Sequence, residues 1–287
     1  MPLIFDPKPR AKVVLRCPPT RRGIISWNGS ETNGGLSIRT RFADESWSSS
    51  LPYASWSSDE RVSLGGREPR VHFEIDMLIA KEPFTAIEAV SATKLDAVVL
   101  ATPPEGPPRN EPLEPIELNV PRLSQYIGDP GLGWCSPASL AMLLGANDIA
   151  MDVAQAAAAT YDKAYRGTGN WAFNVAYASR FGLRAFVAFL RDLAHARLFL
   201  AEGIPLALSL AWKKGELDNS PIPESEGHFV VLCGFDAKGD PIVNDPAQPT
   251  VRTIYPREQF QRLWIGHGGI AYVIAPPDKP TIEIANA

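Results

Sequence analysis

The chain has 287 residues, of which 45% are hydrophobic and 21% charged, and its net charge is −4. This length and composition allow a buried core, in two domains or one large one. The negative balance argues against a general binder of nucleic acid or anionic membrane, because phosphate contacts need a surplus of Lys and Arg. No apolar run is long enough to cross a bilayer, and no signal peptide is recognisable. We therefore expect no membrane insertion and a cytoplasmic location, or a secreted one if a leader was trimmed.

Three cysteines, Cys17, Cys135 and Cys233, are spread along the chain. An odd number this low cannot form a disulfide framework, and no Cys or His pair has the spacing of a zinc site. The sequence therefore implies no metal and no cofactor. Cys233 stands in the apolar run 230–235, which predicts a core position, whereas the residues around Cys17 indicate no role.

Proline marks the main boundary of the chain. Residues 102–116 contain repeated prolines, which lack the N–H group and fix φ, so this stretch cannot continue a helix or a sheet. It predicts a semi-rigid extended linker. We expect an accessory domain over 1–101 and a second domain over 117–287.

The segment before the linker has the pattern of β-strands. Apolar and polar residues alternate over 36–42 and 71–77, as in half-buried antiparallel strands. Segments 22–28 and 95–100 predict further strands, and no helical period stands out. The prediction for this segment is a small all-β sandwich.

Three tryptophans of this segment, Trp27, Trp47 and Trp56, allow two interpretations. Trp47 and Trp56 lie in a serine-rich stretch, where aromatic rings could stack on a sugar or hold a peptide. Packing in the core of the sandwich is the alternative, because large aromatic side chains dominate cores.

The segment after the linker changes from strands to helices and then back to strands. Helices are predicted at 138–144, 154–160, 171–181, 193–201 and 257–264, and strands at 204–211, 228–235, 241–244, 251–255 and 269–274. Helices that precede a run of antiparallel strands indicate an α+β fold.

Cys135 stands at the predicted beginning of a helix. Pro137 suits the first helical turn, and Cys135 or Ser136 can cap it. Free N–H groups and the positive end of the helix dipole would stabilise a thiolate there, which is the nucleophilic form of cysteine. A buried cysteine that serves as a small hydrophobic residue is the alternative.

His228 differs from the other three histidines of the chain. His72 lies on the polar side of a strand and His195 lies in a charged helical segment, so both are expected at the surface, while His267 lies in a glycine-rich turn. His228 opens the most apolar strand, directly after Gly227, which is a suitable position for a general base. A hydrogen-bonded histidine at the end of a strand, without a catalytic role, remains the alternative.

Asp245 could orient this histidine if the hairpin formed by 228–236 and 241–245 brings them together. If Ala237 opposes Asp240, then Asp245 opposes Leu232, on the same face as His228. The offset along the strand would be on the order of 13 Å, so a twist, a bulge or the turn after Asp245 would have to close it.

The carboxylate of Asp245 would hold the tautomer of the imidazole and stabilise the imidazolium. Asn244 has the opposite parity along the strand and is the less suitable partner. An aspartate that only forms the turn before Pro246 is the alternative without a catalytic role.

Taken together, these motifs resemble the cysteine peptidase family 39-like domains, papain-like domains related to the double-glycine leader peptidases that process bacteriocins. The resemblance rests on Gln125, the segment 133–142, the segment 227–231, the segment 243–246, the segment 167–171 with Asn174, and Tyr255 with Phe260, and it covers roughly 117–276.

The resemblance implies a Cys–His–Asp triad on Cys135, His228 and Asp245, with Gln125 as a donor to the oxyanion hole. Two departures are visible. Many relatives have glycine after the cysteine, where this chain has Ser136. The bacteriocin-processing members belong to membrane transporters, whose spans and nucleotide-binding motif are absent from this sequence, so a leader-peptide substrate does not carry over.

Three functions follow as hypotheses. The first is a thiol peptidase that acts on a peptide or protein substrate. The second is a thiol acyltransferase or transpeptidase that uses the same residues, and the third is a non-catalytic peptide- or carbohydrate-binding protein on an inactive papain-like scaffold. The sequence indicates no oligomeric state.

Overall fold

The computed structural model describes residues 3–6, 10–127 and 133–287. In the described ranges the chain forms two antiparallel sheets and six helices, which confirms the α+β class. The first sheet contains β1 (Leu3–Asp6), β2 (Arg10–Asn28), β3 (Gly34–Phe42), β4 (Leu51–Trp56), β5 (Arg61–Ser63), β6 (Val71–Glu74), β7 (Met77–Leu95) and β8 (Ala97–Ala101). The second contains β9 (Ile116–Glu117), β10 (Arg184–Phe189), β11 (Leu206–Trp212), β12 (Ser225–Phe235), β13 (Pro241–Asn244), β14 (Arg252–Ile254) and β15 (Ile270–Ala275). The helices are α1 (Cys135–Gly145), α2 (Val153–Thr160), α3 (Trp171–Ser179), α4 (Leu193–Ala201), α5 (Arg257–Gly266) and α6 (Thr281–Ala285).

The first sheet is built around two long strands. β2 and β7 each run for 19 residues and pair with one another, and the strand order is β1-β8-β2-β7-β3-β4-β5, with β6 paired to β7. The all-β character of this segment is as predicted. The sandwich arrangement stays a prediction, since the strands form one continuous hydrogen-bonded order.

The strands β2 and β8 separate two hydrophobic cores. Ile24 and Val99 are fully buried in a core shared with the second segment, whereas their neighbours Ile25 and Leu100 are buried in the core of the first sheet. This division follows from the alternation of side chains along a strand. The second segment therefore covers one face of the first sheet.

Polar contacts cross between the two segments. The side-chain amide of Asn28 donates to the backbone oxygen of Ala185 at 2.5 Å and accepts from the N–H group of Ala185 at 3.3 Å. In the proline-rich stretch, the backbone and the guanidinium of Arg109 both donate to Asp192, and Leu113 is buried. The stretch thus lies against the second segment, and the domain boundary within it stays a prediction.

The second sheet has the order β10-β15-β11-β12-β13-β14, and β9 pairs with β12. Helix α1 buries nearly all of its side chains between this sheet and the neighbouring helices, which explains the continuous apolar run in its sequence. Gly234 on β12 faces β9 so closely that a Cβ atom would overlap the backbone oxygen of Ile116. The backbone contact between these two strands therefore requires glycine at this position.

The structure gives the surroundings of three side chains that the sequence singled out: Trp27, Cys233 and Trp47. Trp27 is buried in the core of the first sheet, where its ring stacks on that of Trp56 at 5.0 Å, in agreement with the core interpretation. Cys233 is fully buried, as predicted. The ring of Trp47 is only partly buried and lies beside the guanidinium of Arg39.

The prediction that His195 lies at the surface is wrong. Its side chain is buried, and its Nε2 atom lies 2.7 Å from the backbone oxygen of Ile284 on α6. The helix α6 comes from the far end of the chain, so the local pattern around His195 gave no sign of this cover. None of the described helices combines the length and apolarity that a bilayer span requires.

Replacing Asn28 with alanine should lower the free energy of unfolding by about 2–3 kcal/mol, because two buried backbone groups of Ala185 lose their partner. Urea denaturation measures this change. Asn33→Ala, which alters an exposed asparagine of the same segment, is the matched control. Equal stabilities of the two variants would contradict the role assigned to the Asn28 amide.

Candidate active site

Cys135 is the first residue of α1. The residue before it, Trp134, caps the helix without a side-chain hydrogen bond, so the first N–H groups of the helix are not capped by a side chain. The Cys135 side chain is half-buried and lines an open cleft. This position agrees with the predicted helix start, and it offers a thiol to solvent and to the positive end of the helix dipole.

β12 carries His228 into the interior beside this thiol. The imidazole is 2% exposed, and its Nε2 atom lies 2.7 Å from Oδ1 of Asp245. Since Asp245 occupies Nε2, Nδ1 is the ring nitrogen left for the Cys135 thiol. The ring of Trp212, itself buried, stands edge-on to the imidazole, with centroids 5.6 Å apart.

The predicted hairpin register is wrong, and the correction explains why Asp245 reaches His228. Phe235, rather than Ala237, begins the turn by pairing with Pro241. A bulge at Cys233 then shifts the register by one more residue, so Val231 pairs with Asn244. Each change moves Asp245 by one residue towards His228, and together they keep it on the same face. The offset along the strand falls to two residues, about 7 Å at the usual rise, which the side chains can span.

The carboxylate of Asp245 is held from three sides. The hydroxyl of Tyr255 donates to Oδ2 at 2.6 Å, and the backbone N–H group of Ala247 donates to Oδ1 at 2.9 Å, in addition to the His228 contact. A buried carboxylate is stable only when its oxygens are paired in this way. These bonds fix the position of the carboxylate and, through it, the orientation of the imidazole.

Interactions between charges lower the pKa values of Cys135 and Asp245 and raise that of His228. Burial favours the neutral forms of all three, but the neighbouring charges prevail. The hydrogen bond and charge of His228 lower the pKa of the Cys135 thiol below its ordinary value. The charge of Asp245, with the Cys135 contact, raises the pKa of His228 to about 10, and that of Asp245 is lowered. The contact between the two groups therefore shifts the equilibrium towards a thiolate beside an imidazolium.

Asn244 and Gln125 occupy the surroundings of this group. The amide of Asn244 donates to the backbone oxygen of Pro121 at 2.8 Å, away from His228, as its parity predicted. Gln125 is buried, and its backbone N–H group donates to the oxygen of Pro246 at 3.0 Å, next to Asp245. Its Oε1 atom has no partner among the described residues, and its side chain does not line the described part of the cleft.

Ser136, which stands where many relatives have glycine, turns its hydroxyl inward. Its Oγ atom lies 3.0 Å from the hydroxyl of Tyr272, and the side chain is buried. The serine is thus accommodated by a partner behind the helix. Of the three glycines between Gln125 and Cys135, Gly133 lines the cleft with φ +60°, whereas Gly128 and Gly131 lie outside the described residues.

The cleft beside Cys135 has a volume of about 860 Å³ and is lined by both segments of the chain. From the first segment come Arg22 and the residues 74–77 and 79, and from the second come Trp134, Tyr161, residues 165–169, Trp171, residues 226–227, Phe229 and His267. The local pattern of the first segment did not predict this position, because only the fold brings the β6–β7 hairpin into the cleft that contains Cys135. His267, expected only in a turn, also lines it.

One loop of the cleft depends on its glycines. The ring of Tyr165 lies against Gly167 and Gly169 so closely that a Cβ atom at either position would come within 3.3 Å of it. The carboxylate of Asp162 accepts from the backbone of Ala164 in this loop and from the backbone of Ser63 in the first segment. Gly167 and Gly169 therefore leave room for the ring of Tyr165, and the hydrogen bonds of Asp162 connect this loop to the first sheet.

The raised pKa of His228 predicts a specific dependence of stability on pH. A group whose folded pKa exceeds its unfolded value of 6.5 contributes stability that is complete below that pH and lost as pH rises through the folded pKa. In a Cys135→Ala background, which removes the thiol, the stability advantage of His228 over His228→Gln should therefore shrink as pH rises above 6.5. The slope is at most about 1.4 kcal/mol per pH unit.

Urea denaturation of the two variants at pH 6, 7, 8 and 9 measures this difference. Glutamine keeps a hydrogen-bond donor for Asp245 but does not titrate, so it isolates the charge of the imidazole. Parallel pH curves for the two variants would contradict the charge coupling of His228 and Asp245.

Comparisons with known proteins place these residues in a family. The model of the Peptidase C39-like family matches residues 117–272, just over half of the chain. No curated protein matches the chain. The chain is similar to a candidate C39-like peptidase from Bacillus anthracis, with 20% identity and a TM-score of 0.46, over 58% of this chain and 100% of that one.

Two further solved structures are similar to the chain. One is a double-glycine-motif protease from an AMS/PCAT transporter in complex with its leader peptide, with 23% identity and a TM-score of 0.38, over 56% of this chain and 97% of that one. The other is the peptidase domain of Streptococcus ComA, a bi-functional ABC transporter involved in quorum sensing, with 21% identity and a TM-score of 0.39, over 54% and 98%. TM-scores this low carry no conclusion, and the assignment rests on the family model. The chain belongs to the Peptidase C39-like family of cysteine peptidases.

Proposed function

We propose that this protein hydrolyses peptide bonds, with Cys135 as nucleophile, His228 as proton carrier and Asp245 as the residue that orients and charges the imidazole. The observation that carries the proposal is the buried chain of contacts from Tyr255 through Asp245 to His228, which leaves the other ring nitrogen for the Cys135 thiol. Family membership supports the same reaction class.

In the proposed reaction the Cys135 thiolate attacks the carbonyl carbon of a peptide bond. The bond to nitrogen then breaks, and the amine leaves with the proton of the His228 imidazolium, which gives a thioester. A water molecule attacks this thioester and gives its proton to the imidazole. The carboxylic product leaves, and the thiolate–imidazolium pair is restored.

Gln125 is proposed as a donor to the oxyanion that forms in both steps, together with the N–H group of Cys135. The support is its resemblance to the family's upstream glutamine and its place in the structure, since Gln125 is buried and its backbone N–H group donates to the oxygen of Pro246, next to Asp245. Donors of this kind act on the oxyanion and not on the thiolate.

The first test follows the reactivity of Cys135 and needs no substrate. We expect iodoacetamide to label Cys135 rapidly below pH 7, because His228 lowers the pKa of the thiol. In His228→Gln the labelling should shift to pH values of about 8.5 or above, as for a free thiol. Burial of the Cys135 thiol then raises its pKa without the opposing charge of the imidazolium. Mass spectrometry of the labelled peptides over pH 4 to 10 measures both profiles.

The chain supplies its own controls for this test. Burial raises the pKa values of Cys17 and Cys233 to about 12, so both should remain unlabelled over most of the pH range. A Cys135 profile that is the same in wild type and His228→Gln would overturn the proposed pair.

A separate reaction with a peptide substrate and an added amine tests for acyl transfer. A new amide product in place of the hydrolysis product would indicate acyl transfer instead.

Gln125→Ala should separate the oxyanion role from the thiolate. We expect kcat for peptide cleavage to fall by about 10²–10³-fold, because one donor to the oxyanion is lost. The iodoacetamide profile of Cys135 should not change, since alkylation forms no oxyanion at a carbonyl. The matched control is Gln155→Ala, which alters an exposed glutamine on α2. A variant that loses both reactivities equally would show that Gln125 only supports the local structure.

A further inference from the structure

The cleft wall that comes from the first segment contains three apolar residues beside the charged residues Arg22, Glu74 and Asp76. Ile75, Met77 and Ile79 line the cleft, while Leu78 and Ala80 between and after them are buried in the core of the first sheet. Met77 and Ile79 are alternate residues of β7 and therefore face the same side, while Ile75 lines the same cleft from the turn before them, so the three apolar side chains border the cleft that also contains Cys135.

The first of these three residues, Ile75, is in an unfavourable backbone conformation. β6 and β7 are joined by a two-residue turn, Ile75–Asp76, and Ile75 has φ +56°. This left-handed region suits glycine or asparagine and disfavours a β-branched side chain. The side chain is nevertheless 39% exposed and so contributes little to the core. An exposed isoleucine kept in a strained conformation in the cleft that also contains Cys135 points to contact with a ligand.

The turn is held in place from the second segment. Oδ2 of Asp76 accepts from the N–H group of Trp171, the first residue of α3, at 2.6 Å. The hydroxyl of Tyr53 lies 3.2 Å from the backbone oxygen of Asp76 and also contacts Ile25. The hairpin is therefore fixed relative to the helices of the second segment, as a preformed binding site requires.

We propose that Ile75, Met77 and Ile79 form a specificity subsite that receives a bulky aliphatic or aromatic side chain of the peptide substrate. The ring of Tyr165, which lines the same cleft, offers a second apolar surface to that side chain. The family model begins at residue 117, so this subsite comes from a part of the chain that the family match does not include. The inference rests on the proposed peptidase function.

The test measures peptide binding in a Cys135→Ala background, so that it does not depend on cleavage. A random decapeptide library is selected on this variant and on the same variant with Ile75→Gly, Ile75→Asp or Glu45→Gly. Glycine and aspartate both tolerate a positive φ, so the Ile75 variants keep the turn. Glu45 is an exposed residue in the turn after β3, with φ +68° and outside the cleft, and is the matched control.

We expect peptides enriched in one bulky apolar residue on the Cys135→Ala protein and on its Glu45→Gly variant. With Ile75→Gly this enrichment should disappear and the Kd of the best peptide should rise about tenfold, as expected for lost methylene contacts. With Ile75→Asp the enrichment should change to Lys or Arg. The same enriched peptides on all four proteins, or no captured peptide on any of them, would overturn the subsite.

Failure of the subsite is distinguishable from failure of the proposed function. The iodoacetamide profile of wild-type Cys135 reports the thiolate–imidazolium pair without any peptide. A normal profile with unchanged peptide selection would reject only the role of Ile75. An unreactive Cys135 with selective, Ile75-dependent binding would reject hydrolysis and retain the subsite.

Discussion

The hydrogen bond between His228 and Asp245 is the interaction on which the site depends. Both side chains are almost completely buried, so neither charge has water to stabilise it, and each stabilises the other at 2.7 Å. The hydroxyl of Tyr255 donates to the other carboxylate oxygen, and the backbone N–H group of Ala247 gives a second hydrogen bond to the oxygen that contacts His228. A buried pair of this kind keeps the imidazole in one orientation, and the chemistry of the neighbouring thiol follows from that orientation.

The two segments of the chain share both a core and a cleft. Ile24 and Val99 pack with the second segment, and Asn28, Asp76 and Asp162 carry hydrogen bonds between the segments. These contacts are made by buried polar groups, which are costly to leave unpaired. The first sheet is therefore a structural part of the cleft wall, in addition to any separate binding role of its tryptophans.

The sequence predicted local structure well and contacts between distant residues less well. The alternating strand at 36–42, the helix start at Cys135 and the buried Cys233 follow from local periodicity and capping, and the structure has them. The prediction of one strand over 71–77 is wrong, because this run contains β6, the turn Ile75–Asp76 and the first residue of β7. The pairing of Asp245 with His228 required a bulge and a wider turn, which no local pattern in the hairpin announces. The cover of His195 by α6 and the entry of the β6–β7 hairpin into the cleft depend on residues far apart in sequence. Ile75, at a position that favours glycine or asparagine, shows no turn signal at all.

The bulge at Cys233 makes the number of residues in the hairpin as important as their chemistry. If the pairing continued from Phe235 and Pro241 without the bulge, Asp245 would oppose Val231 and lie on the other face of the sheet from His228, although every functional side chain would still be present. Substitution of the Cys233 thiol by a side chain of similar size leaves the bulge in place. The hairpin is thus constrained in register more strictly than in composition, and loss of the bulge would separate Asp245 from His228 without replacing either residue.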